Sequence, residues 1–297
     1  MGKTALIFPG QGSQTPHMGQ EIAEHYPEAM KYWIQAEEYS ELPLRKIYWE
    51  TCSQEEMVRT QALQPALTAY ALSLLHTRKY TYDAVAGHSL GEFPALFACG
   101  ALSADAVLYL TAKRGLLMDN VDPQGKGSMI AILKLELAMV EEIVATVRSE
   151  YGESIFIANY NTPAQYILSG EQRVFERIKE LTQQAKGKAL PLAIGGAFHS
   201  PMMQKAQEDF IPYLQEVEWN TPHVPFYSNV TASPLTNPTD IQHAMEKQIT
   251  SPVYFINLLH AMHSHGITNF IEVCAKSICT SFVKTTLGTD ITCEVSS

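Results

Sequence analysis

The sequence predicts an α/β protein that carries a smaller, self-contained βαββαβ unit as an insertion. Three observations carry this. Apolar runs at Thr4 to Phe8 (TALIF) and Tyr82 to Ala86 each run into a glycine-bearing loop and then a helical pattern, as buried strands of an α/β unit do. Strand and helix patterns alternate cleanly between Gly127 and Ala197. The stretch Gly87-His88-Ser89-Leu90-Gly91 places one serine between two glycines on a strand-to-helix turn, the pattern of a nucleophile elbow.

Taken in order, Thr4 to Phe8 is the first strand and Gly10-Gln11-Gly12-Ser13-Gln14 the loop after it. That loop reads either as a plain sharp connection or as one whose backbone N–H groups can approach a reacting oxyanion, because glycines clear the way. It lacks the Lys-Ser/Thr ending of a phosphate loop. Met18 to Glu38 is helical with a break at Pro27, and Gln54 to Leu75 is helical, with a buried segment beginning at Gln64-Pro65 and facing inward through Leu67, Tyr70, Ala71, Leu74 and Leu75. Glu92 to Cys99 forms the helix after the elbow, with Pro94 tolerated in its first turn. Ser103 caps a helix to Asp119 that carries Lys113 and Arg114.

The inserted unit follows: strand Met129 to Leu133, helix Glu136 to Glu150, strands Ser154 to Asn159 and Gln165 to Ser169, helix Gln172 to Ala185, strand Ala189 to Ile194. The order is that of a ferredoxin-like unit, bounded by glycines on both sides, which puts the boundaries at 127–195 with 1–126 and 196–297 as the surrounding domain. Beyond it come the loop Gly195 to Pro201, a helix Met202 to Glu216, a short strand Phe226 to Asn229, helices Ile241 to Ile249 and Pro252 to His265, strand Ile267 to Val273 and helix Ile278 to Leu287. The last ten residues read as a loose end.

Composition narrows the function classes. A chain of 297 residues, 46% hydrophobic and 18% charged, buries a large core, and a net charge of -10 argues against nucleic acid or anionic membrane as the main partner. Five cysteines without a C-x-x-C pair suit a reducing compartment. With no secretory apolar region after Met1 and no 18-residue apolar run, the expected location is the cytoplasm.

A serine nucleophile needs a base and something that selects its acyl group. His88 sits next to the serine, where side chains at a sharp turn diverge, and reads as structural. His260, His263 and His265 lack the cysteine or carboxylate partners of a metal site. His199, in a loop between Gly195-Gly196 and Pro201, is the candidate base. Arg114 is either a solvated helix charge or, if buried near the elbow, a planar fork for a carboxylate.

Taken together, FPGQGSQ (Phe8 to Gln14), QPAL (Gln64 to Leu67), GHSLGEF (Gly87 to Phe93), KRGLLM (Lys113 to Met118), NTPAQYILSG (Asn161 to Gly170), GAFHSPMM (Gly196 to Met203), SNVTA (Ser228 to Ala232) and QITSPV (Gln248 to Val253) resemble the malonyl-CoA:acyl carrier protein transacylases, over nearly the whole chain. The resemblance implies an α/β-hydrolase-like large domain with the ferredoxin-like unit as a small lid. It implies Ser89 as nucleophile, His199 as general base, the backbone N–H groups of Gln11 and Leu90 as oxyanion hole, and Arg114 on the malonyl carboxylate. It places Gln248 where a backbone carbonyl orients the histidine, and Phe198 where a bulky ring favours malonyl over methylmalonyl.

The implied reaction uses no cofactor and no metal: malonyl-CoA donates, and the phosphopantetheine thiol of an acyl carrier protein from fatty acid or polyketide synthesis accepts. A monomer is expected. The alternative is a proofreading acyl hydrolase on the same carriers, against which Arg114 argues; a silent scaffold would not retain Ser89, His199 and Gln11 together. Lys186, Lys188 and Lys276 are candidates for carrier docking. Two departures stand out: Cys274-Ala275-Lys276 replaces the family's Gly-Pro-Gly turn after Glu272-Val273, and Phe93-Pro94 replaces a common tyrosine and serine.

Overall fold

A computed structural model describes residues 2–122 and 124–297. Ten strands form two sheets: β1 (Lys3–Phe8), β2 (Ala84–Gly87), β3 (Gly127–Leu133), β4 (Ile155–Thr162), β5 (Gln165–Glu171), β6 (Lys188–Pro191), β7 (Phe226–Tyr227), β8 (Pro234–Leu235), β9 (Ile267–Val273) and β10 (Thr292–Ser296). The larger sheet has the order β10-β9-β1-β2-β7-β8, parallel throughout except for the final β7–β8 pair. The smaller is antiparallel with the order β4-β5-β3-β6, the ferredoxin-like order.

The two-residue period of a strand explains how one sheet serves two cores. On β1, Leu6 and Phe8 pack with the helices at Pro27–Ser40, Thr60–Thr77 and Ala104–Asn120, whereas Ala5 and Ile7 pack with those at Phe255–Ser264 and Cys279–Leu287. β3 divides the same way. Ile130 and Ile132 join Val140, Ile143 and Ile178 in the core of the small unit, and Met129 and Ala131 turn towards the large one. Backbone bonds from Tyr160 N to Val253 O at 2.9 Å and Val253 N to Ala158 O at 2.8 Å tie edge strand β4 to the large unit.

Several elements differ from the sequence expectation. The helical stretch from Gln54 is broken at Arg59, which is extended, and the helix that follows starts at Thr60, so that Pro65 lies inside it rather than at its beginning. Neighbours on all sides bury that helix, and the inward stripe expected from Leu67, Tyr70, Ala71 and Leu74 is one part of a buried cylinder with Leu75 at its margin. The C-terminal segment is not loose: β10 pairs in parallel with β9 from Thr292 opposite Asn269 to Ser296 opposite Val273. Ile291, Cys293 and Val295 alternate with polar residues, a short period-two signal that the loose-end reading passed over, and the strand covers the backbone edge that β9 would otherwise expose. Arg78 donates to Ser296 Oγ at 3.0 Å, and Tyr80 Oη lies 2.6 Å from the same oxygen.

The turn at Cys274-Ala275-Lys276 is organised by Glu272, which is fully buried. Its carboxylate accepts from the backbone N–H groups of Ile278 (2.7 Å), Cys279 (2.7 Å) and Thr280 (2.8 Å) and from Ser277 Oγ (2.9 Å). A negative side chain thereby satisfies the free donors at the start of the helix Cys279–Leu287, where the helix dipole also favours it.

Close approach makes the elbow glycines obligatory. A Cβ on Gly91 would lie 2.0 Å from Phe8 O, and one on Gly87 1.9 Å from the Gly91 carbonyl carbon, both unyielding backbone. Gly91→Ala is expected to lower unfolding free energy in urea by about 3 kcal/mol, the upper range for overpacking. Gly195→Ala, where nothing lies within 4 Å of the added carbon, is the near-neutral control.

Candidate active site

β2 ends at Gly87, and Ser89 opens a single 3-10 turn, Ser89–Gly91, that runs into the helix Glu92–Ala98. Ser89 has φ 51, in the left-handed region that side chains rarely adopt. Such a conformation costs on the order of 1–3 kcal/mol and persists where surroundings enforce it. Here two amides do so: Ser89 N donates to Asn229 Oδ1 at 2.7 Å, and Gln248 Nε2 donates to Ser89 O at 2.8 Å.

His199 arrives from the loop after β6, also with positive φ (57), with its backbone N–H on Ile249 O at 3.1 Å. Its Nε2 lies 2.7 Å from Ser89 Oγ. Its Nδ1 faces two carbonyls, Ser251 O at 3.0 Å and Gln248 O at 3.1 Å. Carbonyls only accept, so the ring proton belongs on Nδ1, leaving Nε2 free to accept from the serine. Burial, helped by the charge of Arg114, holds His199 down to about 3, so it stays a neutral base at physiological pH. The expected Gln248 carbonyl is therefore in place, but it shares the task with Ser251.

Arg114 is buried, 1% exposed, on the helix Ala104–Asn120. The solvated-charge reading is excluded. Its Nη1 donates to Gln64 Oε1 (2.8 Å), its Nε to Gln248 Oε1 (3.1 Å) and its Nη2 to Ser89 Oγ (3.3 Å), and its guanidinium stands 5.7 Å from the centre of the Phe93 ring. Burial pulls its pKa down to about 10, partly offset by Glu92, and it remains cationic at neutral pH. Glu92 is fully buried, accepts from Asn229 N at 2.7 Å and Gln248 Nε2 at 2.7 Å, and is pushed up to about 7 by burial against the opposing pull of those bonds and of Arg114.

Between the two sheets lies a cavity of about 220 Å³ lined by Gly10, Gln11, Ser89, Phe198 and His199 on one side and by Met129, Ala131, Asn161 and Ile194 on the other. Ile278 and Phe282, on and just after the segment that Glu272 holds, add to its wall, as does His88. Phe198 is 3% exposed, and its ring lies so close to Gly196 that a Cβ there would sit 2.6 Å from it. His88 Nε2 is 2.8 Å from Asn161 Oδ1, and its ring packs edge-on against Phe255, which links the elbow to the small unit. Gln11 also reaches Thr60 Oγ1 through its side chain, at 3.5 Å.

Of the residues singled out from sequence, Ser89, His199, Arg114 and Gln248 meet in one hydrogen-bonded group, and Gln11 and Phe198 line its cavity. Leu90 follows the serine directly and is itself buried. Sequence reasoning missed Gln64, Glu92, Asn229 and Ser251. Each lies inside a motif quoted above (QPAL, GHSLGEF, SNVTA, QITSPV), but buried amides and carboxylates reveal their partners only in three dimensions. Among the described residues there is no group of three or more histidine, cysteine, aspartate or glutamate side chains placed to hold a metal, and no helix is long and apolar enough to cross a membrane.

Known proteins match this chain over nearly its whole length. The acyl transferase domain family matches residues 5–296. The malonyl CoA-acyl carrier protein transacylase of Bacillus subtilis (strain 168) is 36% identical over 288 residues, covering 96% of this chain and 90% of its own. An acyl carrier protein S-malonyltransferase from Vibrio cholerae O1 biovar eltor superimposes with a TM-score of 0.90 at 30% identity, over 99% of this chain and 96% of its own. A malonyl-transacylase solved in complex with its type II polyketide acyl-carrier protein does so with 0.91 at 26% identity, over 99% and 95%. An elbow serine bonded to a neutral histidine, a buried arginine beside them, and a match from end to end place this chain in the acyl transferase domain family, among the malonyl-CoA:acyl carrier protein transacylases.

Proposed function

We propose that this protein moves a malonyl group from malonyl-CoA to the phosphopantetheine thiol of an acyl carrier protein, through an ester on Ser89. The observation that carries this reading is the approach of buried Arg114 to Ser89 Oγ, with His199 on the same oxygen. A cation with no acidic partner in direct contact, beside a nucleophile, calls for a substrate whose acyl group ends in a carboxylate.

The reaction then runs in two halves. Ser89 Oγ attacks the thioester carbonyl as its proton passes to His199 Nε2; the oxyanion is received by the backbone N–H groups of Leu90 and Gln11; collapse expels the CoA sulfur, which takes the proton. The carrier thiol next gives its proton to His199, attacks the serine ester, and leaves as malonyl thioester while Ser89 recovers its proton. Ester and thioester are close in energy, so the site's work is stabilising the oxyanion twice. One such donor is worth on the order of 10² to 10³ in turnover. The Ser251 and Gln248 carbonyls favour the Nδ1–H tautomer throughout and stabilise the imidazolium that forms in each half.

In this reading residues 1–126 and 196–297 form the catalytic domain and 127–195 the lid, and Phe198 narrows the space beside the acyl Cα enough to disfavour a branch methyl. The hydrolytic alternative has less support, since the relatives compared are named for transfer. Carrier docking falls to the rim of the cavity. Lys188 lies on exposed edge strand β6, Lys186 just before it, and Lys276 two residues from the cavity-lining Ile278; none of them is in an ion pair among the described residues.

Intact-mass spectrometry after brief exposure to malonyl-CoA is expected to give a malonyl adduct that Ser89→Ala abolishes and that a phosphopantetheinylated carrier removes. Adducts that decay to free acid faster than they reach the carrier would restore the hydrolase. With methylmalonyl-CoA the adduct forms more slowly, and equal rates would remove Phe198 as a selector. Arg114→Ala, leaving the malonyl carboxylate without its partner, lowers kcat/KM for malonyl-CoA by about 10²-fold or more and that for acetyl-CoA by less, so the preference narrows or inverts. Charge reversal at Lys186, Lys188 and Lys276 raises the KM for carrier and leaves acylation by malonyl-CoA unchanged; an unchanged carrier KM would relocate the docking surface.

A further inference from the structure

Among the described residues Glu92 is the one fully buried carboxylate next to the elbow, and the reaction above gives it no proton to move. Its two oxygens each meet a donor: Asn229 N at 2.7 Å on one, Gln248 Nε2 at 2.7 Å on the other. Behind those donors stand the two amides that grip the serine backbone. Asn229 Oδ1 takes the Ser89 N–H at 2.7 Å, while its Nδ2 donates to Gly87 O at 2.6 Å. Gln248 Nε2 also donates to Ser89 O at 2.8 Å, which leaves its Oε1 for the Nε–H of Arg114 at 3.1 Å.

We propose that Glu92 is a positioning residue for the acyl transfer, and that its ionised carboxylate fixes the direction of the Gln248 amide and the seat of Asn229, and through them both Ser89 and Arg114. The proposal rests on the reading of Ser89 as nucleophile. Only an acceptor at both oxygens is compatible with this arrangement. If one Glu92 oxygen carries a proton, a donor faces a donor. Gln248 escapes by turning its amide, which then sets its NH2 against the Arg114 Nε–H and its oxygen against Ser89 O. The left-handed serine loses one of its two restraints, and the guanidinium loses an acceptor.

Burial pushes Glu92 up to about 7, so this protonation falls in an accessible range. The charge acting on it, among the described residues, is that of Arg114 from the helix packed alongside; His199 and His88, in the same site, are held neutral by burial. The sign follows: above about 7 the carboxylate is ionised and the site is set, and as the pH falls through that value the setting is lost. Glutamine at 92 has the shape of the protonated acid, with a donor that no pH removes.

The test is the rate of Ser89 modification between about pH 5 and 9, in wild type and Glu92→Gln, measured with malonyl-CoA and separately with a fluorophosphonate probe. Expected are an acid limb near 7 in wild type with both reagents, and a flat profile in Glu92→Gln that lies on the order of ten- to a hundredfold below the wild-type plateau. A variant that keeps the wild-type rate, or keeps the limb, overturns the proposal, as does a wild type with no limb. Burial and the charge of Arg114 hold His199 well below its usual range, and a limb that survives in Glu92→Gln belongs to the histidine rather than to Glu92. If the glutamine variant does not fold by circular dichroism, the wild-type fluorophosphonate profile decides alone. Normal fluorophosphonate behaviour without any malonyl adduct would sink the substrate reading and leave the role of Glu92 standing.

Discussion

Ser89 is held at positive φ between two glycines that have no room for a side chain, and the rest of the site is built to keep it there. The conformation throws Oγ clear of the sheet, and the following helix start puts backbone donors beside it. Left alone, the serine would relax towards a commoner conformation. Asn229 and Gln248 prevent this by bonding the peptide groups on either side of its Cα, and they come from segments 140 and 159 residues away in the chain. The elbow is local in sequence, but its geometry depends on segments far along the chain.

The electrostatics of the site follow from burial. Arg114 and Glu92 are both out of solvent, and an isolated charge in that position is strongly disfavoured. They do not form a contact ion pair. Gln248 stands between them, its NH2 on the carboxylate and its oxygen on the guanidinium, so each charge is solvated by one end of the same amide. A direct salt bridge would have occupied the fork of the arginine. The interposed glutamine keeps the cation stable while leaving its Nη2 directed at the serine oxygen, where a third party can use it.

Much of this was legible in the sequence, for reasons that differ by element. The buried strands Thr4 to Phe8 and Ile267 to Val273 announce themselves by apolar runs, and the βαββαβ block by alternation that survives small errors at each end. Ser89 is legible because glycines flank it for a steric reason, and His199 because a loop histidine between glycine and proline has no packing role. The C-terminal strand β10 was passed over although Ile291, Cys293 and Val295 alternate with polar residues: the signal is short, and a strand at the edge of a parallel sheet rests on backbone pairing more than on apolar side chains. Pro65 misled for the opposite reason, as a strong helix-start signal overridden by packing on every side of the helix.

The site residues that sequence reading passed over share one property, which is that their function is to be partners. Gln248 was identified for its carbonyl, which does face His199, but its side chain bonds to Ser89, Glu92 and Arg114 as well. An amide can meet a carboxylate, a carbonyl and a guanidinium together only in one orientation, and which one is set by the acceptors around it rather than by anything in its own neighbourhood of sequence. Nucleophile geometry and the Arg114 guanidinium are thus mechanically joined through a single side chain, and the backbone carbonyl of the same residue meets His199. A side-chain substitution there disturbs both at once, whereas one at Gln64, which meets Arg114 at Nη1 and Met118 Sδ through its own Nε2, disturbs the guanidinium alone. The site is therefore better described as a serine and an arginine sharing one buried polar frame than as a catalytic pair with a separate specificity pocket.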